Sequence, residues 1–326
     1  MFEGKRILIT GGAGFIGSNL AFYFQEQGAE VVVFDKFSDE SRFSNGNPTS
    51  LGHFKNLTGF EGEVIAGDIT DPDDLARLKD FPFDYIFHEA AISDTTVQDQ
   101  KTMIQTNVNA FKDLLELAAK QKAAMIYASS GAVYGKLPAP HTVGKEAPAN
   151  IYGFSKLAMD HLAMKYAKKF DIPIVGLRYF NVYGPREYFK GKTASMVLQF
   201  GLQLLKGEPA KLFEGSDKIK RDFIFIDDVI QANVKAATAG VSGVFNVGTG
   251  KARSFQDIVD ILKKELEIER EDVYIPNPYV KQYQFFTQAD IEPTREVLGY
   301  EPKFELEDGI AADIAYIKKI YEEEIA

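Results

Sequence analysis

Short apolar runs alternate with amphipathic segments along the first 180 residues of the chain. The apolar runs have the length of buried strands and lie at 6–10, 30–35, 63–67, 84–88, 123–128 and 173–179. Between them, helical spacing appears at about 15–28, 72–79, 101–120 and 151–170. Asp71-Pro72 adds a capping residue and a first-turn proline to the second of these helices. This alternation predicts an α/β fold built on a doubly wound parallel sheet.

The pattern changes after about residue 180, where the loops lengthen and the elements shorten. We therefore expect a smaller, discontinuous α/β domain that covers a substrate. The run RDFIFIDDV at 221–229, together with 230–239, indicates a strand followed by a helix, which predicts a return of the chain to the main sheet. The expected domains are 1–180 with 222–245 and 181–221 with 246–326, and a short return to the first domain is expected near 284–292.

A glycine-rich turn follows the first apolar run directly, in the sequence GGAGFIG at 11–17. Gly11 permits the tight turn, Gly14 lets the backbone approach a pyrophosphate, and Gly17 lets the helix lie against the strand. Phe15 and Ile16 complete the motif. The second apolar run ends in Asp35, eighteen residues past Gly17, where the ribose hydroxyls of a dinucleotide would lie. The motif predicts a Rossmann domain that binds a dinucleotide.

The residues after the second run leave the choice of dinucleotide open. Asp35 suits the free ribose hydroxyls of NAD. Lys36 and Arg42 instead suit the 2′-phosphate of NADP.

Composition narrows the class of protein further. At 326 residues and 45% hydrophobic content, the chain can bury a full core. No apolar run approaches the roughly 20 residues that span a bilayer, and we expect no secretory signal because the first strand begins so early. A net charge of −10 argues against a nucleic-acid partner. Cysteine is absent and the four histidines form no ligand-like pair, so we expect a cytoplasmic protein without a metal site or membrane partner.

A candidate proton-transfer group lies in the sequence YGFSK, which places Tyr152 and Lys156 on one face of a helix. A nearby ammonium stabilises a phenolate, so the pair can exchange a proton with a substrate hydroxyl while a dinucleotide exchanges hydride. Ser129 and Ser130 end the preceding strand, at the sheet edge where such folds bind ligands. We expect Ser129 to bond its own turn and Ser130 to contact the substrate oxygen.

Seven motifs resemble the extended short-chain dehydrogenase/reductase family: GGAGFIG, GDIT, HEAAIS at 88–93, Asn107, SSGAVYG, YGFSK and RYFNVYGPRE. The resemblance covers nearly the whole chain. It implies a Ser130–Tyr152–Lys156 centre that acts on a nucleotide-linked sugar. It also implies that Asp68 contacts adenine and that Asn107 supports the cofactor region. The further cofactor contacts implied by the resemblance are Glu89, Ala90, Ala91, Ser93, Val182 and Lys190.

Three motifs in the second half, at 178–195, 211–223 and 282–290, are similar to the ADP-L-glycero-D-manno-heptose 6-epimerases of this family. This similarity implies an ADP-heptose substrate, NADP as cofactor, a homo-oligomer and a role in lipopolysaccharide inner-core assembly. The implied substrate contacts are Asn181, Phe213, Glu214, Gly215, Ser216, Arg221 and Tyr283. Arg221 suits a bidentate contact with a diphosphate, with a surface ion pair as its alternative role.

The same similarity makes Lys190 a second acid/base group opposite Tyr152. An epimerase that returns hydride to the other face of a carbonyl has the oxygen on one side of the site before the faces exchange and on the other side afterwards. A single acid/base group is poorly placed to exchange a proton with the oxygen in both positions. The alternative for Lys190 is an ordinary solvated lysine, with Lys192 close enough to be mistaken for it. Lys192 and Gln199 depart from the pattern, which has serine and histidine there, and both positions would touch the substrate.

Three other functions remain as alternatives. A UDP-hexose 4-epimerase shares the fold and would flip the sugar ring in its pocket. A nucleotide-sugar 4,6-dehydratase needs an Asp-Glu pair where this chain has Gly131-Ala132. A dinucleotide-sensing regulatory protein would typically lack the Tyr152/Lys156 pair.

Overall fold

The structure is a computed structural model that describes residues 1–277 and 285–326. Its strands are β1 Arg6–Thr10, β2 Glu30–Asp35, β3 Glu63–Ala66, β4 Tyr85–His88, β5 Ala124–Ser130, β6 Ile174–Tyr179, β7 Asn181–Tyr183, β8 Lys211–Phe213, β9 Lys220–Phe225, β10 Gly243–Val247, β11 Ala252–Ser254 and β12 Val273–Ile275. Its α-helices are α1 Phe15–Glu26, α2 Pro72–Ala76, α3 Gln100–Ile104, α4 Ala110–Gln121, α5 Ile151–Lys169, α6 Met196–Leu205, α7 Ile226–Thr238, α8 Phe255–Leu266, α9 Glu292–Leu298 and α10 Leu306–Glu324.

The main sheet has seven parallel strands within the described residues, in the order β10-β6-β5-β4-β1-β2-β3. Residues of β1, β2, β4, β5 and β6 enter two different apolar clusters, one on each face of the sheet. Ile7 and Ile9 face the cluster that holds α1 and α7, whereas Leu8 faces the cluster that holds α4 and α5. Both faces are therefore covered by helices, as parallel sheets require. The predicted doubly wound Rossmann fold is confirmed.

The helix predicted at 101–120 is interrupted. It consists of α3, a π-helical turn over Gln105–Asn109 and α4. The turn contains Asn107, whose buried side chain bonds both backbone groups of Ile92. A π-helical turn holds about one residue more than an α-helical turn. The 3.6-residue spacing of apolar positions does not reveal this extra residue, so the interruption could not be predicted from the sequence.

The strand predicted within 221–229 exists as β9, but its expected place in the main sheet is wrong. β9 pairs with β7 and β11 in a separate three-stranded sheet of the described chain. The chain returns to the main sheet later, when α7 packs on β5 and β6 and β10 pairs with β6. An apolar pattern predicts that a strand is buried but does not show which strand it pairs with. The assignment of β9 to the main sheet was wrong for this reason. The domain boundaries stay a prediction.

The second half adds a helical layer to the small sheet. Helices α6, α8 and α10 pack on one another, and α10 also packs on β9. Their apolar residues join the same cluster as one face of the main sheet. The main sheet and the helical layer of the second half therefore share one continuous apolar core. No helix in the described part of the chain is both long and apolar enough to cross a bilayer.

Candidate active site

A cavity of about 660 Å³ opens at the carboxyl ends of the main-sheet strands. Its wall includes the turn after β1, the ends of β2, β4 and β5, the start of α5 and the segment around Lys190. Open α/β sheets bind their ligands at this edge.

The glycine turn after β1 has no room for side chains. A Cβ on Gly11 would lie 2.6 Å from the backbone nitrogen of Ala90, and Gly11 has a φ of +71°. A Cβ on Gly17 would lie 2.2 Å from the carbonyl oxygen of Gly11. Helix α1 begins at Phe15, and its N-cap Gly14 supplies no capping side chain, so the helix start is open to an anion. Thr49, which also lines the cavity, has a buried hydroxyl without a hydrogen-bond partner among the described residues. These features fit a dinucleotide.

Asp35 lies at the end of the cavity that would hold the adenosine. Its carboxylate accepts hydrogen bonds from the backbone nitrogens of Ala13, at 2.9 Å, and Phe37, at 2.7 Å. Burial raises the pKa of Asp35. The ammonium of Lys36 lies 3.0 Å from Asp68, and Arg42 donates to the carbonyl of Gly46 at 3.2 Å. This end of the cavity thus combines two carboxylates, Asp35 and Asp68, with two exposed cations, of which Lys36 is paired with Asp68.

The structure brings Ser130, Tyr152 and Lys156 together. Burial raises the pKa of the Tyr152 phenol, and a hydrogen bond with Ser130 opposes that rise. The Lys156 ammonium lies 6.0 Å from the centre of the Tyr152 ring and donates to the carbonyl of Ala128 at 2.7 Å. Burial lowers the pKa of Lys156 to about 8. An ammonium with a pKa of about 8 stabilises the phenolate form of a nearby phenol. This arrangement supports proton transfer by Tyr152 near neutral pH.

Glu89 supplies a negative charge on the same wall. Burial raises its pKa to about 7, and the Tyr179 hydroxyl donates to the carboxylate at 2.9 Å. The charge of Glu89 favours the ammonium form of Lys156. The neighbouring His88 is neutral, because burial lowers its pKa to about 3.

Lys190 lies across the cavity, in a 3₁₀ segment over Tyr188–Thr193. Its ammonium is 5.3 Å from the centre of the Phe15 ring. Burial lowers the pKa of Lys190, and the carboxylate of Glu187 opposes that shift. Phe189 stacks on His53 with the ring centres 3.6 Å apart, which fixes the 3₁₀ segment against the connection between β2 and β3.

Most of the predicted site residues lie on the cavity wall, although their roles stay predictions. Those on the wall are Gly11, Gly14, Phe15, Ile16, Gly17, Asp35, Lys36, Arg42, Asp68, Glu89, Ala90, Ala91, Ser93, Ser130, Tyr152, Lys156, Val182, Lys190 and Lys192. Those that do not line it are Asn107, Asn181, Gln199, Phe213, Glu214, Gly215, Ser216 and Arg221. Tyr283 lies outside the described residues.

Asn107 acts behind the wall. It accepts a hydrogen bond from the nitrogen of Ile92 at 2.8 Å and donates to the hydroxyl of Ser155 at 3.0 Å. Ser155 in turn donates to the carbonyl of Tyr152 at 2.7 Å. Asn107 therefore joins the loop after β4 to the first turn of α5. Arg221 is buried rather than exposed, with its guanidinium 5.8 Å from the ring centre of Phe255, so a surface ion pair does not describe it.

Two groups of site residues were not predicted. Residues 46–52 and Phe43 line the cavity together with Asp94. Their only sequence signal is a turn-forming run, Asn45-Gly46-Asn47-Pro48, which predicts a loop but does not show that the loop lines the cavity. Behind the wall, Arg178 forms ion pairs with Asp160 and Glu146, at 2.9 and 2.7 Å.

A Rossmann cavity with a glycine cradle and a Ser-Tyr-Lys group defines the class of dinucleotide-dependent enzymes that transfer hydride at a sugar or alcohol carbon. Residues 7–248 match the profile of the NAD dependent epimerase/dehydratase family. The chain belongs to this family, and it therefore uses a nicotinamide dinucleotide.

Solved structures narrow the comparison. The chain is similar to the ADP-L-glycero-D-manno-heptose-6-epimerase of Helicobacter pylori, with 54% identity over 97% of both chains and a TM-score of 0.89. It is similar to the UDP-glucose 4-epimerase of Thermotoga maritima in complex with UDP-glucose, at 29% identity over 96% of this chain and 99% of that one, with a TM-score of 0.84. The UDP-glucose 4-epimerase of Thermus thermophilus in complex with NAD is 25% identical over 96% and 99%, with a TM-score of 0.82.

Proposed function

We propose that the protein interconverts ADP-D-glycero-D-manno-heptose and ADP-L-glycero-D-manno-heptose by inverting carbon 6. The observation that carries the proposal is the 54% identity to the Helicobacter pylori enzyme over 97% of both chains. The two UDP-glucose 4-epimerases share 29% and 25%. UDP-hexose 4-epimerisation is therefore the less favoured function.

The mechanism needs two proton-transfer groups on one cavity, and the chain offers Tyr152 and Lys190. A nicotinamide dinucleotide, when bound, supplies reversible hydride transfer with carbon 6. One of the two side chains takes the proton of the carbon-6 hydroxyl, and the other returns a proton to the oxygen after rotation about the bond between carbons 5 and 6. Burial lowers the pKa of Lys190, which makes its amine available as a base. The Lys156 ammonium and the Ser130 hydroxyl stabilise the Tyr152 phenolate.

The dinucleotide proposed is NADP. Both Asp35 oxygens already accept backbone hydrogen bonds, while Lys36 and Arg42 line the same end of the cavity. Two cations suit a 2′-phosphate better than a free hydroxyl. If this is right, NADP raises the melting temperature of the purified protein more than NAD does at equal concentration. Equal shifts would contradict the choice of NADP.

Three further proposals follow from the same similarity. The substrate-contact roles of Asn181, residues 213–216, Arg221 and Tyr283 depend on it, as do those of Lys192 and Gln199. So do a homo-oligomer, which light scattering tests, and a cytoplasmic role in lipopolysaccharide assembly. These proposals stand or fall with the heptose substrate.

Proton NMR of ADP-D-glycero-D-manno-heptose incubated with the protein in deuterated water tests the proposal. The expected result is conversion to the L-glycero epimer without deuterium at carbon 6, because the hydrogen returns from the dinucleotide. Deuterium at carbon 6 would instead indicate direct proton abstraction. Turnover of UDP-glucose, with no conversion of the heptose, would favour the 4-epimerase.

A further inference from the structure

The 41–52 loop, which follows β2, forms one wall of the cavity. Arg42, Phe43 and the residues from Gly46 to Gly52 all line it. The loop has its own internal bonds, from the nitrogen of Phe43 to the carbonyl of Asn47 and from the nitrogen of Gly46 to the carbonyl of Phe43, both 2.8 Å. These bonds close a tight turn over residues 43–47.

Asp94 ties this loop to the loop that follows β4. Asn45 and Asn47 both donate side-chain hydrogen bonds to Oδ2 of Asp94, at 3.0 and 2.7 Å. The other oxygen, Oδ1, accepts from the nitrogen and the hydroxyl of Thr96, at 2.8 and 2.7 Å. Asp94 is only 7% exposed, and each of its oxygens accepts two bonds. Hydrogen bonds to a carboxylate are stronger than those between neutral groups.

The loop and the proton-transfer group pack on the same apolar cluster. Phe43 packs on an apolar cluster of Ile92, Val97 and Met103, and Tyr152 packs on the same cluster. The position of the 41–52 loop is thereby linked both to the dinucleotide end of the cavity and to the ring of Tyr152.

We propose that Asp94 is a positioning residue that retains the dinucleotide by holding the 41–52 loop against the loop that follows β4. This inference rests on the proposed function, in which the sugar is oxidised and then reduced by the same dinucleotide. Such a reaction fails if the dinucleotide leaves between the two steps. A tie between these two cavity-lining loops slows that departure without touching the reacting atoms.

Asp94→Asn tests the proposal with little change in shape. The amide oxygen can still accept from Thr96, but its NH₂ group now faces the NH₂ groups of Asn45 and Asn47. We expect bound NADPH to dissociate at least about tenfold faster, since two bonds to a charged acceptor are lost. The rate is measured by the change in NADPH fluorescence after a chase with excess NADP, without any sugar present.

Asp99→Asn is the matched control. Asp99 also accepts two bonds from a threonine, Thr102, which lines the cavity, but Asp99 itself does not line it. Among the described residues, Asp99 forms no hydrogen bond with the 41–52 loop. Its dissociation rate should equal that of the unmodified protein. Adding Asn47→Asp to Asp94→Asn restores an acceptor opposite a donor, and we expect this double variant to recover slow dissociation. Should Asp94→Asn fail to fold, Asn47→Ala removes the shorter tie and should also accelerate release.

The outcomes separate this inference from the function on which it rests. Release from Asp94→Asn at the unmodified rate, or equal acceleration by Asp99→Asn, overturns the role of Asp94 and leaves the epimerase proposal intact. If the unmodified protein retains no dinucleotide at all, both proposals fail. The inference is supported if Asp94→Asn releases NADPH faster and the double variant, Asp94→Asn with Asn47→Asp, releases it slowly again. A general loss of stability would not be repaired by Asn47→Asp.

Discussion

Lys190 and Lys192 are two residues apart and lie in different surroundings. The Lys190 side chain is partly buried, beside the Phe15 ring and near the carboxylate of Glu187, whereas Lys192 is exposed. Burial makes the Lys190 ammonium easier to deprotonate. The structure thus distinguishes the candidate acid/base residue from the neighbour that the sequence alone leaves as its rival.

Replacing each lysine by methionine tests that distinction. We expect Lys190→Met to lower kcat for heptose epimerisation by about 100-fold or more, because one of two proton-transfer groups is lost. Lys192→Met should instead raise KM and change kcat by less than about threefold, since the role proposed for Lys192 is a contact with the substrate and not proton transfer. Both constants come from NMR progress curves at saturating NADP. Equal losses of kcat would mean that Lys190 acts through charge alone.

At the scale of elements, the start of α5 assembles the proton-transfer group. Asn150 caps the helix by accepting a hydrogen bond from the nitrogen of Gly153 at 2.8 Å. A Cβ on Gly153 would lie 2.5 Å from the carbonyl oxygen of Ala132, so the first turn of α5 lies directly against the turn after Ser130. Close approach of these two turns is what brings Ser130 near Tyr152.

Asn150→Ala should therefore affect catalysis as well as folding. We expect a loss of about 1 kcal/mol in the free energy of unfolding and a fall in kcat, because fraying of the first turn displaces Tyr152. Ser254→Ala removes the cap of α8, which contributes no residue to the cavity wall, and should cost a similar amount without lowering kcat. Asn150→Asp keeps a capping acceptor and should restore both quantities. A fall in kcat for Ser254→Ala would point to stability rather than position.

The same scale shows which parts of the molecule could be predicted from the sequence. Most of these strands are buried on both faces and are continuous apolar runs, and β1 to β6 were predicted within a residue or two. The partner of Lys220–Phe225 was not, because pairing is settled by tertiary contacts. The 41–52 loop and Asp94 have no periodicity that could place them. Residues 213–216 and Arg221 came from family resemblance, and they lie off the described cavity.

At the scale of the whole molecule, the C-terminal helix α10 completes the layer formed by α6 and α8 and places Asp313 in the interior. Asp313 is 0% exposed, and neither carboxylate oxygen has a hydrogen-bond partner among the described residues. Burial raises the pKa of Asp313 well above its ordinary value, and the nearby Glu187 adds to that rise. The packing of α10 therefore favours a neutral carboxyl group at this position.

This burial makes the stability of the folded chain depend on pH in a definite direction. The folded pKa of Asp313 exceeds its unfolded value, so its contribution to stability is fully present below about pH 4 and is lost as pH rises through the folded pKa. Asp313→Asn is neutral throughout and escapes that loss. We expect it to be more stable than the unmodified protein by over about 1 kcal/mol at pH 8, and nearly equal to it at pH 4.

Urea unfolding at the two pH values measures the difference. Glu322→Gln, which neutralises an exposed acid on the same helix, should unfold like the unmodified protein at both. If Asp313→Asn is instead destabilising at pH 8, Asp313 is ionised there and bound to a partner. Its charge would then help to hold α10 against the rest of the molecule.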